Sequence, residues 1–393
     1  MGLRKQERMI IFIWIIGLLL ILLGGASLYL AKPIPFLSSL NHLWSFISPP
    51  TSTPTLPPQG KLVPTLAEGI PTATIRPKDT TAPQQTPTKT EPFQRAGFAM
   101  SIPANPNLWA SRMGASWYLD WAARKTTPGE FPEYWKMVRV SKDGFFPTPS
   151  EIIQIAVENP GQVWILGNEP DVIWQDNVIP EDYAKTYHDL YYIIKTTDPS
   201  ASIAIAGISQ ATPLRFEYLD RVLNAYQTQY GERLPVDWWT VHGFVLREER
   251  GSWGVEIPPG LTADQGFLYE ISDHSRLDYF ENHLRDFRAW MAERGYRDTP
   301  LALTEFGILM PPEYGFTPEI VSQYLKDSFH LLLTMQDEDT GYPSDDNRLV
   351  QRWAWFSLTD PVYPTSNLAD LESDRLTIVG EAYRDFTSSL AQP

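Results

Sequence analysis

The pattern of apolar and polar positions divides the chain into three stretches. Residues 9–30 form an apolar run without a single charge, preceded by Arg4, Lys5 and Arg8. As a helix rising about 1.5 Å per residue, such a run crosses a ~30 Å hydrocarbon core. Residues 31–92 lose apolar periodicity and turn to Pro, Thr and Ser, as in Ser48-Pro49-Pro50-Thr51-Ser52-Thr53-Pro54. Repeated X-Pro bonds disfavour helix, so this reads as a semi-extended stalk with hydroxyls open to O-glycosylation. From residue 93 onward, short apolar runs alternate with amphipathic stretches. Strand-like runs cover 97–101, 115–121, 135–141, 163–166, 202–206, 236–244, 301–306 and 352–358. Between them, Tyr183, Tyr187, Leu190, Tyr191 and Ile194 recur at helical spacing within 180–196. Leu277, Phe280, Leu284, Phe287 and Met291 do the same within 276–295, with Gly295 as a C-terminal stop.

Strand–helix alternation repeated about eight times predicts a (β/α)8 barrel for 93–393. A doubly wound open sheet is the alternative, and the lack of a Gly-rich phosphate loop after any strand weakens it. The basic flank at 1–8 predicts a short cytoplasmic tail, with 9–30 an uncleaved transmembrane anchor and everything after it outside. The competing reading of 9–30 is a cleaved signal peptide with Gly24 and Ala26 at the cut, which gives a secreted protein. Either way the barrel is expected to be extracytoplasmic.

Two of the strand-like runs end on an acid. Val163-Trp164-Ile165-Leu166 is apolar on both faces, as in a parallel sheet, and is followed by Gly167, Asn168, Glu169 and Pro170. Pro170 cannot continue a central strand, so the chain turns there and leaves Glu169 at the strand's carboxyl end. Leu301-Ala302-Leu303-Thr304 likewise runs into Glu305, ahead of a Gly- and Pro-rich loop. Active sites of parallel α/β folds lie at that end. Two carboxylates on two strand ends are what glycoside hydrolysis needs, one to protonate the leaving oxygen and one to attack the anomeric carbon or activate water. Period-two parity places Val163, Ile165, Gly167 and Glu169 on one face, and Leu301, Leu303 and Glu305 on one face. Both faces are expected to point into the barrel.

Composition narrows the chemistry. A net charge of −15 over 393 residues argues against a nucleic-acid partner, since phosphate binding needs basic patches. Cysteine is absent, which removes disulfides, thiol nucleophiles and a lipid-modified cysteine. Six histidines, none paired at metal-site spacing, predict no metal and no cofactor. The 14 tryptophans leave room for sugar-stacking surfaces. Trp117, Tyr118, Trp174 and Trp355, on or beside strand ends, are candidate stacking residues. His242, inward on the sixth strand with Thr240, and Arg139, on the third, are candidates to hold a carboxylate or the sugar. The segment 245–274, with Arg247, Arg250 and Trp253, is expected to be a loop over the cleft.

At this point the chain resembles a known group. Asn-Glu-Pro on the fourth strand and a glutamate on the seventh resemble the largest clan of retaining (β/α)8 glycoside hydrolases. The set Ser116-Trp117-Tyr118-Leu119-Asp120-Trp121, Gly167-Asn168-Glu169-Pro170-Asp171, Val241-His242-Gly243-Phe244, Thr304-Glu305-Phe306-Gly307 and Trp353-Ala354-Trp355-Phe356 is similar to its endo-β-1,3-glucanase-like family. The similarity covers about 98–390. Phe244 stands where many relatives have tyrosine, and Asp120 where asparagine is common. The resemblance implies Glu169 as acid/base, Glu305 as nucleophile and Asn168 as the reader of the sugar's 2-hydroxyl. An acid must carry a proton to assist departure, so Glu169 is expected to be protonated and Glu305 ionised, held by donors such as Arg139 or His242. The expected protein is a surface-anchored, monomeric glycosidase acting on a polysaccharide or oligosaccharide. The alternative is a non-catalytic carbohydrate-binding envelope protein on the same scaffold; the presence of both acids favours the enzyme.

Overall fold

The computed structural model describes residues 90–126 and 131–390, all within the compact unit Asp79–Pro393. The anchor or signal segment and nearly all of the stalk lie outside the described residues. Among those described, no helix is long and apolar enough to cross a membrane.

Eight parallel staves close into a barrel. They are β1 (Ala96–Ala99), β2 (Trp117–Leu119), β3 (Glu133–Tyr134) continued by β4 (Lys136–Ser141), β6 (Val163–Leu166), β7 (Ser202–Ile205), β8 (Trp239–His242), β9 (Leu301–Phe306) and β10 (Arg352–Trp355). The third stave is split at Trp135: its first half pairs with β2 and its second half with β6. Parallel bridges Ala204↔Trp238 and Ile208↔Val241 join β7 to β8, and β10 returns to β1. A short strand, β5 (Gly144–Phe146), folds back antiparallel on β4.

Helices α1 (Pro106–Met113), α2 (Pro149–Glu158), α3 (Pro180–Thr197), α4 (Pro213–Tyr230), α5 (Leu277–Glu293), α6 (Pro318–Thr334) and α7 (Ile378–Leu390) surround it. Five of them open on proline, whose fixed φ suits the first helical turn and whose missing N–H costs nothing there. Side chains of Asn105, Thr148 and Thr317 accept backbone N–H groups ahead of α1, α2 and α6. Phe280, Leu284, Phe287 and Met291 of α5 are buried as the spacing predicts, each worth about 1.5–3 kcal/mol of apolar burial. One unit departs from the expected alternation. Among the described residues no helix separates β2 from β3, and the outward faces of those staves carry Tyr118 and Tyr134 stacked on each other instead.

The barrel interior is one apolar cluster with Ala99, Trp117, Leu119, Met137, Val163, Ile165, Ala204, Ala302, Ala354 and Phe356. Their neighbours in sequence, among them Phe98, Val138, Trp164, Leu166, Val241, Leu301, Leu303 and Trp355, pack outward with the helices. The parity expected for β6 therefore holds, but that expected for β9 does not. Leu301 and Leu303 face the helices. A register shift appears in both ladders of β9, where Val241↔Leu303 is followed by His242↔Glu305, and Trp353↔Leu303 by Trp355↔Phe306. This bulge inserts one residue and turns Glu305 back toward the barrel axis, as bulges beside functional sites do.

Candidate active site

Glu169 stands three residues beyond β6, on a turn in which Gly167 (φ +108°) and Glu169 itself (φ +45°) are left-handed. A non-glycine residue held there costs on the order of 1–3 kcal/mol, so its surroundings must fix it. They do so by backbone and side chain. Glu169 N–H donates to Gly207 O at 3.0 Å, and Val172 N–H donates to Glu169 O at 3.0 Å. Arg139, inward at the top of β4, pairs with Asp176 at 2.6 Å, and Asp176 accepts the N–H groups of Asn168 (2.6 Å) and Val140 (3.1 Å). Arg139 thus braces the turn through Asp176 rather than pairing with either expected catalytic acid.

His242, at the end of β8, joins the two acids. Its Nδ1 lies 2.7 Å from Glu169 Oε1, and its Nε2 lies 3.5 Å from Glu305 Oε1. Gly207 makes this possible: a Cβ there would fall 2.6 Å from the imidazole. Trp121 Nε1–H donates to the same Glu305 oxygen at 2.7 Å, from a backbone that is also left-handed (φ +54°). Glu169 and Glu305 are 7% and 5% exposed, so these contacts lie in a weakly screened environment. Burial pulls the His242 pKa down, but the charge of Glu305 with the hydrogen bond and charge of Glu169 outweigh it and hold it at about 9. Burial raises the Glu305 carboxyl to about 7; the His242 charge and the Trp121 hydrogen bond oppose the rise, while the Glu169 charge adds to it. In the unliganded site, then, the acid expected to be the more firmly ionised is pushed up. Its desolvation is larger than its donors repay. As an imidazolium, His242 donates from both nitrogens, and one cation serves two carboxylates.

The remaining candidates divide by the way their side chains point. Asn168 is buried beside Glu169, its Nδ2 donating to Gln175 Oε1 at 3.4 Å and its Oδ1 without a hydrogen-bond partner among the described residues. Trp174 is 70% exposed on the same turn and makes none of the contacts that join the two acids. Trp117 does face inward, but toward the barrel floor: it is fully buried, donates to Arg95 O at 3.0 Å and packs on Trp135. Tyr118 points outward between Phe98 and Tyr134. Trp355 also points outward, donating to Ser366 O and packed against Phe306 and Phe329. None of these last three can stack on a sugar at the mouth, because alternation along each strand spends them on the core. The mouth aromatics are others. Phe356, next in line after Trp355, makes ring contacts with Trp121 (5.8 Å), Phe244 (6.3 Å) and Tyr363 (6.2 Å). The inward parity of Ala354 was the signal that could have pointed to Phe356. Leu246, Trp253 and Val255, from the long segment after β8, pack on the same interior cluster, so that segment walls the mouth as expected. Among the described residues no group of His, Cys, Asp and Glu is arranged to hold a metal ion.

Comparison with solved structures bears on the fold. A GH128 (subgroup II) endo-β-1,3-glucanase from Pseudomonas viridiflava aligns over 76% of this chain and 98% of its own, with a TM-score of 0.50 and 17% identity. The chain has the (β/α)8 fold of the endo-β-1,3-glucanases. A GH128 (subgroup I) endo-β-1,3-glucanase from Amycolatopsis mediterranei, in complex with laminarihexaose, aligns over 74% of this chain and 99% of its own, at 18% identity and a TM-score of 0.49. A GH128 (subgroup III) curdlan-specific exo-β-1,3-glucanase from Blastomyces gilchristii gives 74%, 97%, 18% and 0.48. No family model and no curated protein matches the chain.

Proposed function

We propose that the chain is a retaining glycoside hydrolase of polysaccharides, with β-1,3-glucan as the substrate its motifs favour. The observation that carries this reading is the pair of buried carboxylates, Glu169 and Glu305, brought from the ends of the fourth and seventh staves to the two nitrogens of His242. Glu169 protonates the departing oxygen while Glu305 attacks the anomeric carbon, forming a glycosyl ester and releasing one sugar fragment. Glu169, now a carboxylate, takes a proton from water, and the resulting attack frees Glu305 with the original configuration.

Glu169 and His242, 2.7 Å apart, share one proton: on Glu169 it is the one given to the departing oxygen, and on His242 it leaves Glu169 as the base. In the first half of the cycle the Trp121 N–H favours the ionised form of Glu305 against burial. In the second, Glu305 is a neutral ester, and the imidazolium beside Glu169 stabilises the carboxylate that must act as base. Phe356, Phe244 and Tyr363 flank the acids with apolar rings, each able to contribute about 0.5–1.5 kcal/mol to a stacked pyranose. The proposal keeps the domain outside the membrane, anchored by 9–30 or released if that segment is cleaved, and monomeric.

Purified full-length chain, incubated with β-1,3-glucan, other β-glucans, mannan and xylan, should release sugar from the first and lose that activity in Glu305→Gln. Failure of every glycan, or a Glu305→Gln variant at the wild-type rate, overturns the reading.

A further inference from the structure

Arg215 lies in the first turn of α4, where a cation opposes the helix dipole and gains nothing from its own helix. Its side chain is fully buried, and all three nitrogens are engaged by other segments. Nη1 donates to Asp171 O at 2.5 Å and lies 3.1 Å from Asp171 Oδ2. Nε donates to Glu248 Oε1 at 3.1 Å, and Nη2 donates to Val255 O (3.0 Å) and Glu256 O (2.8 Å). Each partner is tied further. Asp171 accepts Ser209 Oγ–H at 2.9 Å, and Glu248 accepts Thr212 Oγ1–H at 2.6 Å and Phe267 N–H at 3.0 Å.

The two ends of this network are left-handed segments of the mouth. Asp171 is two residues beyond Glu169 (φ +45°), and Glu256 is itself left-handed at φ +58°. Val255 packs on the mouth cluster beside Phe244 and Phe356. A planar guanidinium with fixed donor directions can hold two strained backbones in register, where a lysine offers only a point charge. We propose that Arg215 is a positioning residue: it locks the turn that aims Glu169 to the segment that walls the mouth, so that Glu169 meets His242. This rests on the glycosidase reading for its catalytic consequence, though the Glu169–His242 contact can be followed without turnover.

The test uses the full-length chain and Arg215→Lys, which keeps the buried charge and removes the fork. The His242 imidazole, titrated by nitrogen NMR, should lose a close carboxylate and shift down by about one pH unit or more. Hydrolysis of unactivated glucan should fall about 10- to 100-fold, with activated aryl glycosides affected much less, because general-acid assistance is what is lost. A role in stability alone lowers the melting temperature and moves neither readout. A folded variant with the wild-type His242 titration and equal losses on both substrates overturns the proposal. If Arg215→Lys does not fold, native-state hydrogen exchange of the wild type decides: the amides of Val172, Ser209 and Val255 should open as one unit, and independent opening overturns the link. The glycosidase reading fails separately. A wild type inactive on every glycan, with the His242 shift present in Arg215→Lys, removes the activity and leaves the positioning.

Discussion

Trp121→Phe isolates a direct hydrogen bond that Glu305 receives from a neutral donor. The substitution keeps an aromatic ring against Phe356 and removes only the indole N–H that lies 2.7 Å from Glu305 Oε1. A phenylalanine meets the left-handed backbone at 121 no worse than tryptophan does, so strain is unchanged. A hydrogen bond to a charged group is worth about 1.5–3 kcal/mol, and one pKa unit about 1.4 kcal/mol. Losing a donor that favours the carboxylate should therefore raise the Glu305 pKa by about one to two units. The nucleophile must be ionised, so the acidic limb of kcat/KM, expected near 7 in the wild type, should move to higher pH by that amount. Below both limbs the variant should be about 10- to 100-fold slower, and well above them the two should converge. The assay is a pH profile of kcat/KM on one soluble glucan, with cooperative melting checked at each end. A folded variant whose acidic limb has not moved, or whose loss is the same at every pH, refutes the argument.

Other outcomes follow from the same geometry. Glu169→Gln should slow unactivated glucan by about 10²–10⁴ and spare aryl glycosides with good leaving groups, as read from the two rates. Phe356→Ala, in the interior cluster, should cost about 3–5 kcal/mol of stability and, in the fraction that stays folded, raise KM about fivefold for one lost stacking ring. Trp355→Ala, outward and buried, should also cost about 3–5 kcal/mol of stability by denaturant titration. His274 supplies a pH dependence of folding. Its Nδ1–H donates to Val245 O at 3.0 Å and its Nε2 accepts Leu309 N–H at 2.9 Å, and burial holds its pKa down at about 4. The unfolded chain takes up this proton near 6.5, before the folded chain does. The contribution is thus full above about 6.5 and is lost as pH falls toward 4, up to about 3 kcal/mol. A melting temperature that stays flat from pH 7 to 4.5 contradicts this.

Much of the scaffold and the two acids could be read from the residues, because buried parallel strands are short apolar runs and an acid after one has few places to go. Glu169 is such a case: it reaches the mouth on the side that Val163 and Ile165 face, although the left-handed turn after β6, not strand parity, aims it. Glu305 ends inward for a different reason than parity, since the bulge that aims it leaves no mark in the apolar pattern of Leu301 to Thr304. The aromatic candidates show the limit of composition. Trp117, Tyr118 and Trp355 are on the right strands, but inward or outward parity and depth decide between core and mouth, and Phe356 and Trp121 take the places assigned to them. Trp121 could not be assigned a donor role, because its left-handed backbone depends on tertiary packing. Arg215 was invisible for the same reason: its partners at 171, 248, 255 and 256 meet only in the closed barrel. That no helix separates β2 from β3 among the described residues had no counterpart in the pattern of strand-like runs.

The central claim, double displacement through Glu305, is tested most directly by proton NMR of the first-formed product. Full-length chain is mixed with a reduced-end β-1,3-linked oligosaccharide, and the anomeric signals are followed before mutarotation. The account predicts that the new reducing end appears first as the β-anomer and only later equilibrates. An initial α-anomer means single displacement by water and contradicts the role given to Glu305.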